Sequence, residues 1–557
     1  MSEQKKKYGI GIDTGGTFTD VVLVDLENNE VLSSAKKPTT HHNLSIGIAA
    51  GLEAILTSTS TSPGDIDLIA VSTTLATNAV VEGKGAKVGL LVVGMVRSFS
   101  LPIALIRYLH GGHNHLGKEE DPLDMEALVD HIEDFKGHVQ AYAVSAAMSI
   151  VNPTHEKVVE KAINLMDPDK PVFCSYRISD RPGAKERAVT SVLNARLMPV
   201  MVDFFSGLRH GLGALDLTEK VVIIRGDATP MDMDDAVKKA ATTFASGPAA
   251  TAFYGASCSS KDNALIVDVG GTTTDITMVR EGKPTIDKDG SVIDEWQTHV
   301  NAVEMFTSGI GGDSHIVMSK NKTLTVGPGR VIPLALSADT PSPQWLGPDL
   351  QAQCVSLPPG LNPELIAADP ILQFIADNGP STPAEIKKQL QLGEIGLLKQ
   401  IENYIRTQTV IGAGFTPTDA LHVLGRLDIG NPEPARMGAE MLAEQMGTGV
   451  EEFCLLALNA TEEKIVDAIL DYVLKKEAGK GLQGVFPDYR NNPVVGMSFF
   501  LKVPIIGIGA AALHLLPGVA EKLRTEIIFP EHYEVGNALG ALLIASERKM
   551  VEEAVSE

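Results

Sequence analysis

Six residues recur at one spacing in two distant places. Asp13, Gly15, Gly16, Thr17, Thr19 and Asp20 return as Asp268, Gly270, Gly271, Thr272, Thr274 and Asp275. A glycine pair frees a turn from Cβ, so consecutive backbone N–H groups can converge on an anion. The hydroxyls of Thr14, Thr17 and Thr19 add donors, and Asp13 and Asp20 add carboxylates. A polyphosphate with Mg²⁺ takes that mixture: donors for its oxygens, carboxylates for the waters of the metal. One such turn reads equally well as a plain hairpin. Its repetition favours chemistry.

The elements around these residues are strands. Tyr8–Asp25 runs strand, glycine turn, β-branched strand, and Asn263–Val279 does the same. Two similar phosphate hairpins far apart predict two similar domains facing each other across one cleft. Asn43–Thr57 carries Leu44, Ile48, Leu52 and Ile55 at helical spacing, a cover helix. A strand over Asp67–Val71 leads into Ser72–Asn78, whose hydroxyls either bind a polar substrate or cap a helix. His110, His113 and His115 sit close enough to hold a metal, or simply populate a glycine-rich polar loop.

Further on, Ala245–Ala256 and Gly536–Ala541 are small-residue helices suited to close packing, the second finishing the second lobe. Thr307–Ser314, with Gly311 and Gly312, offers backbone amides to phosphate. Val503–Ala512 runs from strand into Gly507, Gly509 and Ala510, which brings backbone close to a flat ring or a phosphate. Thr382 and Pro383 start a helix over Pro383–Ile405 that Gly393 and Gly396 can split.

At 557 residues the chain exceeds one ordinary core. A net charge of −23 argues against general binding to nucleic acid or anionic membrane. Any phosphate site must therefore be made locally. The four cysteines are far apart, with no CxxC, as in a reduced cytoplasmic protein. The N-terminus has no apolar stretch of signal-peptide length, and Pro493–Ala520, though apolar, is broken by Pro504, Gly507, Gly509 and Pro517. No membrane span is expected.

The order of hairpin, small-residue helix, hairpin, Gly-Gly-Asp loop, glycine loop and small-residue helix resembles the actin, heat-shock ATPase and sugar-kinase superfamily. Within it, Asp13–Asp20, Ser72–Asn78 with Glu82–Gly85, Asn152-Pro153, Ser246–Ala249 and Asp268–Asp275 are similar to the A-type, ATP-dependent subunit of the hydantoinase/oxoprolinase family. The chain departs from that subunit in being shorter and in the segment His110–Asp124. The resemblance implies an α/β fold of two ribonuclease-H-like, actin-like ATPase domains around a nucleotide cleft. The domains are expected at residues 1–258, with an inserted segment near 97–138, and 259–557, with a mainly helical insertion near 362–490.

It further implies ATP-dependent opening of a hydantoin, 5-oxoproline or other lactam. Phosphorylating the carbonyl oxygen removes amide resonance and creates a leaving group before water attacks. Some relatives instead serve carboxylases acting on ketones. In that reading Asp13 and Asp268 hold Mg²⁺ through water, while Thr14, Gly15, Gly16, Thr17 and Thr19 with Gly270, Gly271, Thr272 and Thr273 hold the phosphates of ATP. Gly311 and Gly312 assist, Gly507, Gly509 and Ala510 meet the nucleoside, and Thr73, Thr74, Thr77 and Asn78 touch the substrate. A B-type partner subunit and an oligomer are expected. The same ATP machinery also drives chaperone-like reactivating factors and small-molecule kinases, which are the competing readings.

Overall fold

Ile10 and Ile12 in the strand Tyr8–Thr14 (β1), and Val21, Val22 and Val24 in Phe18–Asp25 (β2), suit a pleated buried surface, and all are buried. The strands pair antiparallel, Asp13 opposite Asp20 and Thr14 opposite Thr19. Glu30–Pro38 (β3) pairs antiparallel with β2, Ile66–Thr73 (β4) runs parallel to β1, and Val221–Ile224 (β5) runs parallel to β4. The sheet order is β3-β2-β1-β4-β5, edged by the short strand Pro230–Asp232. The helix Leu44–Thr59 covers it with Ile48, Leu52 and Ile55. This computed structural model describes residues 7–556 apart from 16–17, 40–43, 82, 95–97, 103, 214, 294–295, 338–341, 408, 486–493 and 495.

The second hairpin repeats the plan. Ala264–Val269 (β6) and Thr274–Arg280 (β7) pair antiparallel with Asp268 opposite Asp275. Met305–Ser308 (β8) adds antiparallel to β7, Ile505–Ile508 (β9) lies parallel to β6, and Ile527–Ile528 (β10) parallel to β9. The run β8-β7-β6-β9-β10 repeats the antiparallel-then-parallel plan of the first sheet. Three antiparallel strands followed by two parallel ones make a ribonuclease-H-like sheet, present twice in an α/β chain.

Each sheet lies in its own compact unit: Met1–Cys258, Gly282–Glu304 and Val535–Glu557 form one, Ser259–Glu281 and Met305–Glu534 the other. The unbroken second lobe expected over 259–557 therefore gives up two segments. Close backbone packing explains the second, Val535–Glu557. A Cβ on Gly540, in the helix Gly536–Ser556, would stand 1.8 Å from the Ala250 carbonyl oxygen. One on Gly11 would stand 2.0 Å from the Ala538 carbonyl oxygen. Glycine at both positions lets this last helix lie directly on β1 and on the helix Ser246–Ser257. The two small-residue helices are thus partners inside the first unit.

Between β4 and β5 the first unit holds a second sheet. Its strands Val172–Cys174, Ala141–Ala146, Val88–Val93 and Ala104–Leu109 are all parallel, in that order. The insertion is wider than residues 97–138, because Val88–Val93 and Val172–Cys174 are hydrogen-bonded into the same sheet. One helix, Ala184–Gly213, serves both layers. Ala188, Val189, Val192 and Ala195 pack on the inserted sheet, while Leu197, Met201, Phe204 and Phe205 pack under the first. It is the helix among the described residues long and apolar enough to cross a membrane, and those residues lie buried in the two cores.

In the second unit the described part of Pro493–Ala520 contains β9 and the start of the helix Ala512–Lys522. Helices from Pro363–Ala368 to Leu482–Val485 form its helical part. The split near Gly393 separates Pro383–Leu390 from Glu394–Arg406, and Thr382 with Glu385 makes a capping box.

Candidate functional site

The end of β1 carries Asp13, only 3% exposed. Register on β4 sets Ser72 beside it, and Ser72 Oγ donates to Asp13 Oδ1 at 2.6 Å. Asn537 Nδ2, from the last helix, donates to Oδ2 at 3.3 Å. Burial raises the Asp13 pKa, and the bonds from Ser72 and Asn537 with the Lys36 charge pull it partly back. Lys36 also pairs with Asp20 at 2.9 Å.

At the tip, Gly15 N–H donates to the Phe18 carbonyl at 2.9 Å, and Thr74 N–H to the Thr14 carbonyl at 3.0 Å. Thr14 Oγ1 is buried with no hydrogen-bond partner among the described residues. An orphaned buried hydroxyl on a glycine turn suits a bound oxygen ligand. Thr19 is fully buried and bonded to Thr39 Oγ1 at 3.2 Å, so its hydroxyl works inside the hairpin. Gly16 and Thr17 lie outside the described residues.

In the second unit, Gly270 N–H closes its turn on the Thr273 carbonyl at 3.0 Å. The Gly-Gly-Asp loop docks on it: Gly312 N–H donates to the Gly270 carbonyl at 3.0 Å, and Asp313 N–H to the Gly271 carbonyl at 2.6 Å. A Cβ on Gly271 would stand 2.6 Å from Asp313 Oδ2, and one on Gly311 2.6 Å from the Gly270 carbonyl oxygen. Thr418 fastens the loop from the other side, its Oγ1 donating to the Gly312 carbonyl at 2.8 Å. Gly509, at φ +95°, follows β9 and packs on Asp268, and Ala511 N–H donates to the Val269 carbonyl at 3.0 Å. Asp268, Gly270, Gly271, Gly311, Gly312 and Gly509 thus form one cluster, with Ala510 exposed beside it.

Burial also acts on the neighbouring carboxyls. It pushes Asp275 up to about 6 against an opposing bond from Thr307, and raises Asp313 against the Arg330 charge.

Several sequence expectations need correction. Gly507 was expected at a nucleoside, but it lies buried inside β9, where a Cβ would meet the Phe529 ring at 2.6 Å and Leu516 at 3.0 Å. Its role is packing. Thr73 was expected to touch substrate, but it is fully buried, and Thr73 Oγ1 donates to the Thr14 carbonyl at 3.3 Å and accepts Leu75 N–H at 3.1 Å. That is the helix-cap reading. Thr77 Oγ1 accepts Ala245 N–H at 3.2 Å, and Asn78 Nδ2 donates to Thr74 Oγ1 at 3.1 Å, which ties this turn to the helix Ser246–Ser257. Thr74, Thr77 and Asn78 stay partly exposed.

His110, His113 and His115 do not converge on a metal. The ring of His113 lies tilted against that of His155, with centroids 4.2 Å apart, and His155 Nε2 bonds Glu119 at 2.8 Å, while His110 and His115 face solvent. His113 lies in the short strand Gly112–His113, while His115 lies in the turn Asn114–Lys118 and His110 precedes the strand. Among the described residues no group of three or more His, Cys, Asp or Glu could hold a metal.

Sequence reasoning named Ser72 only within the hydroxyl run Ser72–Asn78 and Asp313 only within the Gly-Gly-Asp loop, and gave no site role to Thr251, Thr418 or Asn537.

Two ribonuclease-H-like sheets with such hairpins define the actin-like ATPase fold class. Models of the hydantoinase/oxoprolinase N-terminal region and of hydantoinase/oxoprolinase match residues 9–166 and 187–484, and the chain belongs to that family. It is 32% identical to caprolactamase subunit alpha of Pseudomonas jessenii over 360 residues, 58% of this chain and 51% of that one. The acetophenone carboxylase gamma subunit of Aromatoleum aromaticum is 29% identical over 371 residues, 59% and 50% of the two chains. The chain spans about half the length of these curated relatives. Among solved structures, nucleotide-free acetone carboxylase superposes with a TM-score of 0.66 at 17% identity, covering 96% of this chain and 69% of that one. ATP-dependent caprolactamase from P. jessenii gives 0.64 at 23%, covering 96% and 70%.

Proposed function

We propose that this chain uses MgATP to phosphorylate the carbonyl oxygen of a cyclic amide, so that the ring can be opened. The observation that carries the reading is the repeated hairpin: each ends its first strand in an aspartate and turns through glycines. The orphaned Thr14 hydroxyl and the Gly270–Gly271 turn beneath Asp313 fit phosphate oxygens. Asp13 and Asp268 would hold Mg²⁺ through its waters. Bound Mg²⁺ supplies charge neutralisation on the phosphates.

The protein's work is positional and electrostatic. Backbone N–H groups of Gly271–Thr273 hold the phosphates, with Gly15 and Gly270 closing their turns and Gly311 and Gly312 behind the second. Gly509 and Ala510 face the nucleoside. Thr74, Thr77 and Asn78 orient the amide so that its carbonyl oxygen attacks the γ-phosphorus in line. The bond from phosphorus to the β-bridging oxygen breaks, ADP leaves, and a carbonyl-oxygen–phosphorus bond forms. A first water then adds at carbon and the ring nitrogen leaves as the amine, which gives an acyl phosphate. A second water adds at the same carbon, and phosphate departs with the former carbonyl oxygen to leave the carboxylate.

Relatives named as alpha and gamma subunits support a B-type partner for the hydrolytic half. The four free cysteines suit a cytoplasmic setting. A lactam labelled with ¹⁸O in its carbonyl provides the test: the purified chain with its partner should release labelled phosphate and ring-opened product. ATP hydrolysis that no lactam stimulates, and that only a protein partner raises, would instead make it a chaperone-like ATPase. A ketone substrate, as the carboxylase relatives suggest, would stimulate ATP turnover without opening a ring.

A further inference from the structure

The far end of the chain reaches the first hairpin at one side chain. Asn537, second residue of the helix Gly536–Ser556, places its amide between Asp13 Oδ2 at 3.3 Å and Thr251 Oγ1 at 2.5 Å. The orientation of the amide is forced. An ionised carboxylate only accepts, so Nδ2 must face Asp13, and Oδ1 must take the proton of the Thr251 hydroxyl. Thr251 is 2% exposed and sits on the helix Ser246–Ser257, held in close contact with the last helix at Gly540. On the other carboxylate oxygen, the fully buried Ser72 donates at 2.6 Å. A Cβ on Gly247, on the same helix as Thr251, would stand 3.3 Å from Asp13 Oδ1, so backbone closes that side. Both oxygens of Asp13 are therefore aimed by donors that are themselves aimed.

We infer that Asn537 is a positioning residue for Asp13, with Thr251 acting through it. Its effect on phosphoryl transfer comes from fixing the plane of the carboxylate that holds the waters of the metal. The inference rests on the reading of Asp13 as the magnesium carboxylate. It adds that the competence of the first hairpin depends on a residue from the opposite end of the chain.

The test is a double-mutant cycle read by Mg²⁺ dependence. Asn537→Ala removes the donor and Thr251→Val frees the amide while keeping its shape. In calorimetry, Asn537→Ala should weaken MgATP binding about tenfold, as fits one lost bond to a charged group, and leave metal-free ATP binding unchanged. The half-saturating Mg²⁺ for ATP hydrolysis should rise by a similar factor. Thr251→Val should weaken MgATP binding about threefold alone and add nothing to Asn537→Ala. Wild-type melting temperature in Thr251→Val keeps the result independent of folding.

If wild type binds MgATP and Asn537→Ala binds it equally well, or if the two substitutions simply add, the positioning role is overturned while the ATP reading stands. If wild type shows no binding of MgATP, the ATP reading itself falls, and this inference with it.

Discussion

Replacing Gly509 by alanine strikes the second cluster where backbone and carboxylate are closest. At φ +95° the new residue enters a region that L side chains rarely adopt, and its Cβ would stand 2.3 Å from Asp268 Oδ1 and 2.6 Å from the Val269 carbonyl oxygen. Backbone strain of this kind costs about 1–3 kcal/mol. Either Asp268 or the Val269 carbonyl must then retreat by roughly 1 Å to reach ordinary contact. If the carbonyl moves, its 3.0 Å bond from Ala511 N–H is lost, for about 1 kcal/mol more. The sum, about 2–4 kcal/mol, corresponds to a fall of roughly 5–15 °C in the melting of the second unit. If Asp268 moves, MgATP affinity should fall at least about tenfold. Differential scanning calorimetry and MgATP titration distinguish the two. Gly329→Ala is the control, since nothing lies within 4 Å of a Cβ there. A Gly509→Ala protein that melts with wild type and keeps its MgATP affinity would refute the reasoning.

Gly540→Ala should destabilise the first unit by more than about 2 kcal/mol, because its Cβ would collide with the Ala250 carbonyl oxygen at 1.8 Å, and thermal melting checks this. Arg187, 1% exposed, caps the carbonyls of Ala146 and Ala147 at 2.9 and 2.7 Å, so Arg187→Met should cost about 3 kcal/mol and speed amide exchange in the inserted sheet. Burial holds the His315 pKa below its usual 6.5, with the ring 2.9 Å from the Ala352 carbonyl oxygen. The unfolded chain then binds the extra proton first. This contribution to stability is intact above about pH 6.5 and shrinks as pH falls. His315→Gln should flatten the acid slope of melting temperature against pH.

What the sequence discloses here follows the range of the interactions. Both hairpins are legible because their signals are local: β-branched strands, a glycine turn, and aspartates that recur at one spacing. The Thr382–Pro383 start and the break at Gly393 are equally local. Asn537 is not legible, because its partner Asp13 lies 524 positions away and nothing near either residue marks the pairing. Gly507 and Gly509 look alike in sequence, yet one fills a packing gap against Phe529 and the other touches Asp268. The histidines mislead for the opposite reason. They are neighbours along the chain, but His113 turns against the His155 ring while His110 and His115 face solvent.

The last helix sets a timetable for synthesis. A ribosome builds from the N-terminus, so β1 emerges early, with Gly11 waiting uncovered for Ala538. Until residue 537 has left the exit tunnel, Asp13 lacks one of its two donors and the first sheet lacks one cover. A stop codon ahead of Asn537 therefore removes both a donor of Asp13 and a cover of the first sheet, although that sheet is encoded at the opposite end of the message.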